Sequence, residues 1–217
     1  MVQLYLVRHG KTIWNQEHRL QGARGDSPLI EGELYQIDAL AKRIQNLDYV
    51  AIYSSPLKRA LDTAKRLVNS LNNQNPIQIS EALREIDFGN LEGKRNEELP
   101  LAARKQLGYF FNEPEKYNAS VVRAESYQQA AKRTNEFVLS LVDHYSNNSK
   151  IILVSHGGIL NVMINSLLGI PLKDYRRHGG ITNASLTRID VEGNNQARLV
   201  DFNNTDHLKN INPSDTI

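Results

Sequence analysis

An arginine, a histidine and a glycine stand together at the end of the first apolar run of this chain. The run Gln3–Val7 predicts a short buried strand. Arg8, His9 and Gly10 follow it directly, and core packing explains none of these three residue types. A histidine beside a fixed cation, at the carboxyl end of a strand, suits a site for an anionic substrate, because open α/β sheets bind ligands at that edge.

A second strand end carries another arginine. Residues 50–53 are apolar and predict a strand, and Ser55 with Pro56 after it predicts the start of a helix. Arg59 then falls in the first turn of that helix, again at the carboxyl end of a strand.

Two later segments add a second histidine and a set of carboxylates. The run Lys150–Val154 predicts another buried strand, which is followed by His156, Gly157 and a helical stretch. Residues 83–93 are rich in carboxylates and punctuated by glycine, and they include Glu85. The chain therefore brings histidines, arginines and carboxylates to several predicted element ends.

Together these segments resemble the histidine phosphatase superfamily, the phosphoglycerate-mutase-like enzymes. The resemblance spans residues 7–183, and the motifs stand in the family's order. They are Arg8-His9-Gly10-Lys11-Thr12-Ile13-Trp14-Asn15, Gln21-Gly22 with Asp26-Ser27-Pro28-Leu29, Ser55 to Ala64 around Arg59, Glu85 to Gly93, and Ser155-His156-Gly157. The resemblance implies a small helical cap insertion at about residues 90–125.

The resemblance and the residue types together suggest how a phosphomonoester would be cleaved. Neutral imidazole can attack phosphorus and carry the phosphoryl group, and His9 fits that role. Glu85 is the candidate general acid, which later serves as base for the attacking water. Asp87 is its rival; Glu85 is preferred because the family's acid precedes the Gly-x-x-Glu-Gly element, here Gly89 to Gly93, by this interval.

The remaining site residues are expected to bind the substrate phosphate. Arginine offers forked donors to phosphate oxygens, amides and histidine donate singly, and a helix start offers free N–H groups. The candidates are Arg8, Asn15, Gln21, Gly22, Arg59, His156 and Gly157. Because the arginines supply positive charge and the histidines lack a ligand spacing, we expect no metal and no cofactor.

Composition limits the classes of protein to which this chain can belong. The 217 residues, 40% of them hydrophobic, suit one domain over residues 1–217 with a sizeable core. The absence of cysteine excludes disulfides and thiolate catalysis, and a net charge of +2 does not indicate nucleic-acid binding. No apolar run is long enough for a membrane span, and the first strand leaves no room for a signal peptide. We expect a cytoplasmic monomer or homodimer whose partner is a small-molecule phosphate ester.

Strands and helices alternate along the chain. After the first strand, helices are predicted at residues 31–46, 59–71 and 126–145, with strands at 48–53 and 77–79. Residues 184–191 and 197–202 predict a hairpin with its turn at residues 192–195. The pattern predicts a three-layer α/β fold with a mainly parallel sheet and helices on both faces.

The resemblance leaves more than one activity open. The interval from Glu85 to His156 is short for a mutase, and the family's substrate-gripping arginine pair has only Arg104-Lys105 as its nearest counterpart. These features favour a phosphatase acting on small phosphomonoesters, with a phosphoglycerate mutase as the alternative. The third possibility is a catalytically weak member of the family with a regulatory or binding function. The presence of the full catalytic set argues against it; the set is Arg8, His9, Arg59, Glu85 and His156.

Overall fold

Strands of one mixed sheet form the centre of the molecule. The structure is a computed structural model that describes residues 1–71, 75–193, 196–208 and 216. The strands are β1 (Val2–Arg8), β2 (Ala51–Ser54), β3 (Ile77–Ile79), β4 (Lys150–Ser155), β5 (Leu186–Val191) and β6 (Ala197–Asn204). Across the described part of the sheet their order is β3-β2-β4-β1-β5-β6, so the first strand of the chain lies in the interior of the sheet.

The sheet is parallel on one side of β1 and antiparallel on the other. β3, β2, β4 and β1 run parallel, whereas β5 is antiparallel to both β1 and β6. The predicted mainly parallel sheet and the β5–β6 pairing are confirmed; residues 194 and 195 of the predicted turn lie outside the described residues. Because parallel strands end at one edge, Arg8 pairs beside Ser155, and Ser54 pairs beside Val154.

Helices cover both faces of the sheet. The α-helices of the described residues are α1 (Ile13–Gln16), α2 (Tyr35–Ile44), α3 (Lys58–Ser70), α4 (Leu101–Asn112), α5 (Tyr127–His144) and α6 (Gly157–Leu167). α2 and α3 pack on one face, and α5 and α6 pack on the other. Leu6 of β1 faces the α5–α6 side while Val7 faces the α2–α3 side, as alternation along a strand requires. The three-layer α/β fold is confirmed.

Two helix starts differ from the prediction. α3 begins at Lys58 with Leu57 as its N-cap, and Ser55 lies outside the helix. The Ser55 hydroxyl does accept the Leu57 N–H at 3.3 Å, but it also contacts His156 across the sheet edge. The predicted helix at residues 31–46 is divided, because i→i+3 hydrogen bonds tighten Glu31–Glu33 into a 3₁₀ turn before α2 begins.

The segment at residues 90–125 is helical, as the resemblance implies. It contains α4 and three 3₁₀ turns, Asn96–Glu98, Pro114–Lys116 and Ala119–Val122. Apolar side chains from this segment pack in a cluster with side chains of α5 and of the chain after α6. No helix within the described ranges is long and apolar enough to cross a membrane.

Candidate active site

The His9 ring is buried at the carboxyl end of β1. Its backbone N–H donates to the Ser155 carbonyl at 2.9 Å, which joins the end of β1 to β4. Its Nδ1 lies 2.7 Å from the Gly10 carbonyl oxygen. Because a carbonyl can only accept, this contact places the ring proton on Nδ1. The neutral ring therefore keeps its lone pair on Nε2, which is what a nucleophilic histidine requires.

The His156 ring lies beside His9, with 5.1 Å between the ring centroids. Arg59 Nε donates to His156 Nδ1 at 3.1 Å, so the neutral His156 ring carries its proton on Nε2. That proton faces the Ser55 hydroxyl oxygen at 2.7 Å. Both ring nitrogens are thus engaged by the protein, and binding of phosphate by His156 requires one of these contacts to be exchanged.

The Arg59 guanidinium organises the loop that follows α1. Its Nη1 donates to the Gly25 carbonyl and to Asp26 Oδ1, each at 3.0 Å, and its Nη2 donates to the Gly22 carbonyl at 2.9 Å. A Cβ at residue 22 would come within 2.8 Å of the Ile86 backbone carbonyl oxygen, so packing requires glycine there. The structure thus brings Gly22 to Arg59, through its carbonyl.

Arg8 is fully buried at the end of β1, and its Nη1 donates to the Ile181 carbonyl. Gly157 lies against this guanidinium, because a Cβ at residue 157 would be 3.3 Å from Arg8 Nε. The N–H of Gly157 has no acceptor among the described residues. The first turn of α6 therefore has one N–H donor available to bind an anion.

The Glu85 carboxylate is held at the start of α6. One oxygen accepts the N–H groups of Ile86 at 2.8 Å and Ile159 at 2.7 Å, and the other accepts the N–H of Gly158 at 3.0 Å. A Cβ at Gly158 would approach Glu85 Oε1 to 2.8 Å, so the second glycine of the motif makes room for the carboxylate. The N–H groups of Gly158 and Ile159 at the start of α6 are thus occupied by Glu85.

Asp87, the rival carboxylate, has a different environment. Arg24 donates to Asp87 Oδ2 from Nε at 3.0 Å and from Nη2 at 2.7 Å. The other oxygen accepts the Gly89 N–H at 2.8 Å. Both oxygens of Asp87 are therefore committed to a surface ion pair and a turn, and the buried position beside α6 belongs to Glu85.

Asn15 and Gln21 lie near one another around Thr12. The Asn15 carbonyl oxygen accepts the Thr12 N–H at 3.2 Å, while its Nδ2 donates to no described residue. Gln21 accepts from the Thr12 hydroxyl at 2.8 Å and donates to Asp26 at 3.3 Å. Asn15 thus presents a free amide donor, whereas the donor of Gln21 is already partly used.

A cavity of about 530 Å³ opens between this edge of the sheet and the segment at residues 90–125. Asn15, Gln21, Glu85 and Gly158 line it from the site side. In the described part of the chain, no group of three or more histidine, aspartate or glutamate side chains could hold a metal ion. The roles assigned to the site residues, and metal independence, stay predictions.

Sequence reasoning missed Asn183, which holds the histidine loop in place. Its buried Nδ2 lies 3.0 Å from the His9 carbonyl, 3.4 Å from the Gly10 carbonyl and 3.3 Å from Asn15 Oδ1. Ala184 has a φ of 54° and donates its N–H to Arg8 and His9 carbonyls, which is why β5 begins only at Leu186. A polar residue directly before a predicted strand was the only signal available.

Acid should weaken the fold through His9 and His156. Burial first, and then the charge of Arg59, lowers the pKa of both rings well below 6.5. As pH falls below that value, the unfolded chain binds protons that the folded chain does not, so stability present at neutral pH is lost. For each ring that stays neutral, we expect the free energy of unfolding to fall by about 1.4 kcal/mol per pH unit. Urea unfolding at a series of pH values from about 7.5 to 5.5 measures this slope.

The control for the acid effect is a double variant, His9→Asn with His156→Asn. Other groups also titrate in this range, so the informative quantity is the difference in slope between the two proteins. A wild type that loses stability with acid no faster than the double variant would contradict the buried neutral state of the two rings.

Comparisons with known proteins found similar sequences and similar structures. The family model of the histidine phosphatase superfamily (branch 1) matches residues 4–205. The probable phosphoglycerate mutase GpmB of Yersinia pestis is 33% identical over 192 residues, which cover 88% of this chain and 86% of the relative. YhfR of Bacillus stearothermophilus is similar in structure, with a TM-score of 0.86 and 31% identity over 95% of this chain and 99% of that one.

A phosphatase with bound substrate is also similar. A variant of the phosphoserine phosphatase of Entamoeba histolytica, in complex with phosphoserine, gives a TM-score of 0.82 at 28% identity, covering 96% of this chain and all of the other. The fold and these matches place the chain in an α/β class whose members include phosphatases and proteins named as mutases. The chain belongs to the histidine phosphatase superfamily, branch 1.

Proposed function

We propose that this protein is a phosphatase that hydrolyses small phosphomonoesters through a phosphohistidine at His9. The observation that carries the proposal is the hydrogen bond from His9 Nδ1 to the Gly10 carbonyl, which leaves Nε2 as a free nucleophile. The lowered pKa of His9 supports the same role, because the ring stays unprotonated at neutral pH. The proposed partner is the small-molecule ester itself.

The reaction runs in two balanced steps. In the first, the lone pair of His9 Nε2 forms the N–P bond, the P–O bond to the alcohol breaks, and Glu85 gives its proton to the departing alkoxide. In the second, Glu85 takes a proton from water, the water oxygen forms the new P–O bond, and the N–P bond breaks. Orthophosphate leaves, and His9 and Glu85 return to their starting states.

The phosphate-binding residues neutralise the charge that repels a nucleophile. Arg8 and Arg59 are buried cations beside His9, and Asn15 and Gly157 each present a free N–H donor. Preorganised donors of this kind commonly contribute a factor of about a hundred to a thousand each. The proposed phosphate-binding set is completed by Gln21, Gly22 and His156. To bind phosphate, His156 must exchange its contact with either Arg59 or Ser55 for one with a phosphate oxygen.

A phosphoglycerate mutase is the alternative, because the GpmB relative bears that name. The adjacent arginine pair with which the family's mutases hold the substrate carboxylate has no counterpart in the described lining of the cavity. The Arg104 guanidinium donates to the Asn96, Glu97 and Leu99 carbonyls, and the Lys105 ammonium lies 5.6 Å from the Tyr109 ring centroid. Neither side chain lines the cavity, which favours transfer of the phosphoryl group to water.

Product analysis separates the two activities. With 3-phosphoglycerate as substrate, we expect release of inorganic phosphate to exceed conversion to 2-phosphoglycerate, because no adjacent arginine pair in the described lining of the cavity holds the glycerate for return of the phosphoryl group. Phosphate release and isomer formation are measured in the same time course. Isomerisation much faster than phosphate release would replace the phosphatase by the mutase.

A chromogenic aryl phosphate tests for catalysis of any kind. We expect hydrolysis that is unchanged by EDTA, because the arginines supply the charge that a metal would. Absence of hydrolysis of every phosphomonoester tried would favour the regulatory or binding member of the family instead. Hydrolysis that EDTA stops and added Mg²⁺ restores would show that the expectation of metal independence is wrong.

A further inference from the structure

Part of the lining of the 530 Å³ cavity is apolar. Leu20, Phe88, Leu107 and Phe111, called here the apolar wall, line the cavity together with Asn15 and Glu85. Glu85 also lines a second cavity of about 440 Å³, but Asn15 and Gln21 of the proposed phosphate-binding set line only this one. With the phosphate at His9 and the proton from Glu85, we therefore place the alcohol in the 530 Å³ cavity. The apolar wall therefore contacts the part of the substrate that differs from one phosphomonoester to another.

The apolar wall is preformed. Phe110, which is 1% exposed, holds Phe88 edge-to-face at 5.0 Å and Phe111 edge-to-face at 5.1 Å between ring centroids. Phe110 also stacks on Tyr127 with 4.9 Å between ring centroids, and the Arg176 guanidinium lies 4.8 Å from the Phe111 ring centroid. Such packing fixes the rings before substrate arrives, so the cavity keeps its shape.

The apolar wall makes the binding of a polyol less favourable. Hydroxyl groups facing the apolar wall would lose hydrogen bonds to water without gaining new ones, which opposes binding. A hydrocarbon ring in the same place loses nothing and gains contacts with Phe88 and Phe111. Pockets of about 300–1,000 Å³ commonly accept ligands of drug size, so a cavity of this volume also exceeds the needs of a three-carbon glycerate.

The rim of the cavity carries uncompensated positive charge. Arg19 lines it but is paired with Glu17 at 2.7 Å and with Glu98 at 3.2 Å. Lys94 also lines it, is exposed, and forms no ion pair with any carboxylate of the described residues. Glu85, which the helix start holds, is the one carboxylate residue lining the described part of the cavity. The rim therefore favours an anionic group on the substrate.

We propose that the site takes phosphomonoesters of bulky, ring-containing alcohols that carry an anionic group at the end away from the ester. The apolar wall binds the ring, and Lys94 attracts the distal charge. This inference rests on the proposed phosphatase function and specifies the class of alcohol that the site prefers. It also makes Lys94 a specificity-determining residue outside the phosphate-binding set.

Three matched esters test the proposal on the wild-type protein. Cyclohexylmethyl phosphate has the ring size of glucose 6-phosphate without its hydroxyls, and trans-4-carboxycyclohexylmethyl phosphate adds one distal carboxylate. All three release a primary alcohol, so the demand on the general acid is similar. We expect kcat/KM for the cyclohexylmethyl ester to exceed that for glucose 6-phosphate by about ten- to a hundredfold. The carboxylate should add about two- to fivefold more.

The variant Lys94→Ala tests whether Lys94 attracts the distal carboxylate of the substrate. The quantity measured is the ratio of kcat/KM for the carboxylated ester to kcat/KM for the plain cyclohexylmethyl ester. The ratio should fall to about one in Lys94→Ala and in high salt, because a rim charge is screened. Lys105→Ala is the matched control, since Lys105 lies on α4 but does not line the cavity, and it should keep the wild-type ratio.

The outcomes separate this inference from the proposed function. No phosphate release from any of the esters or from a chromogenic aryl phosphate would overturn the phosphatase itself. Release from all three, with glucose 6-phosphate equal or fastest, would overturn the apolar preference while the phosphatase stands. A carboxylate that brings no gain, or a gain that Lys94→Ala retains, would overturn the role of Lys94.

Discussion

The substitution His9→Ala is expected to abolish turnover, with a loss of kcat of about ten-thousandfold or more, the scale on which removal of a covalent nucleophile acts in other enzymes. His9 is the residue whose ring carries a free Nε2 lone pair at the end of β1. Arg8, Arg59 and Glu85 would remain in place, but no group would accept the phosphoryl. Quenching without acid after brief exposure to labelled ester should show an acid-labile, base-stable label on the wild type and none on the variant.

The matched control for His9 is His144→Ala, at the exposed end of α5. That variant should trap label and turn over like the wild type, because its histidine is remote from the cavity lining. A His9→Ala protein that still acquires the label, or that still hydrolyses substrate normally, would remove His9 from the nucleophile's role.

The substitution Glu85→Gln is expected to slow phosphoenzyme formation from alkyl phosphates by about a hundred- to ten-thousandfold, the usual range for lost general acid catalysis. An alkoxide leaves as a strong base and needs the proton, whereas nitrophenolate is stable as an anion. The loss with 4-nitrophenyl phosphate should therefore be much smaller. Single-turnover kinetics are needed, because Glu85 also assists the later attack by water and steady-state rates would mix the two steps.

Asp87→Asn provides the control for Glu85→Gln, two positions away in the chain. Asp87 is paired with Arg24 and, unlike Glu85, does not line the 530 Å³ cavity, so its variant should show no dependence on the leaving group. In Glu85→Gln the new side-chain amide nitrogen would face a backbone N–H at the start of α6, so thermal unfolding of both variants must accompany the kinetics. Leaving-group dependence in Asp87→Asn and its absence in Glu85→Gln would transfer the acid role to Asp87.

Much of the fold could be predicted, because its signals are local. Apolar runs located β1, β2 and β4, and the residues that follow each run lie at one edge, since parallel strands end together. That rule places His9 and His156 at the same edge of the sheet, and the pairing of β1 with β4 makes them neighbours. The prediction of Ser55 as a helix N-cap was wrong because it used only neighbouring residues. In the structure the Ser55 hydroxyl contacts His156, which lies 101 positions further along the chain.

The contacts that refine the site could not be predicted from local pattern. The partners of Glu85 lie 73 and 74 positions further along the chain, and Asn183 reaches back 174 positions to His9. Such contacts depend on sheet order, and no propensity encodes that order. The apolar wall has the same origin, because Phe88, Leu107 and Leu20 come together only when the segment after Asn90 has folded over the sheet edge.

The position of β1 has a consequence for how this protein is made. β1 is synthesised long before either strand that flanks it: Gln3 pairs with Lys150 on one side and with Asp190 on the other. At usual elongation rates the strand waits on the order of ten seconds for its first neighbour. During that wait an apolar strand with two unpaired edges is a template for aggregation. The yield of folded protein should therefore depend on how well the cell shields β1 until the last third of the chain has been synthesised.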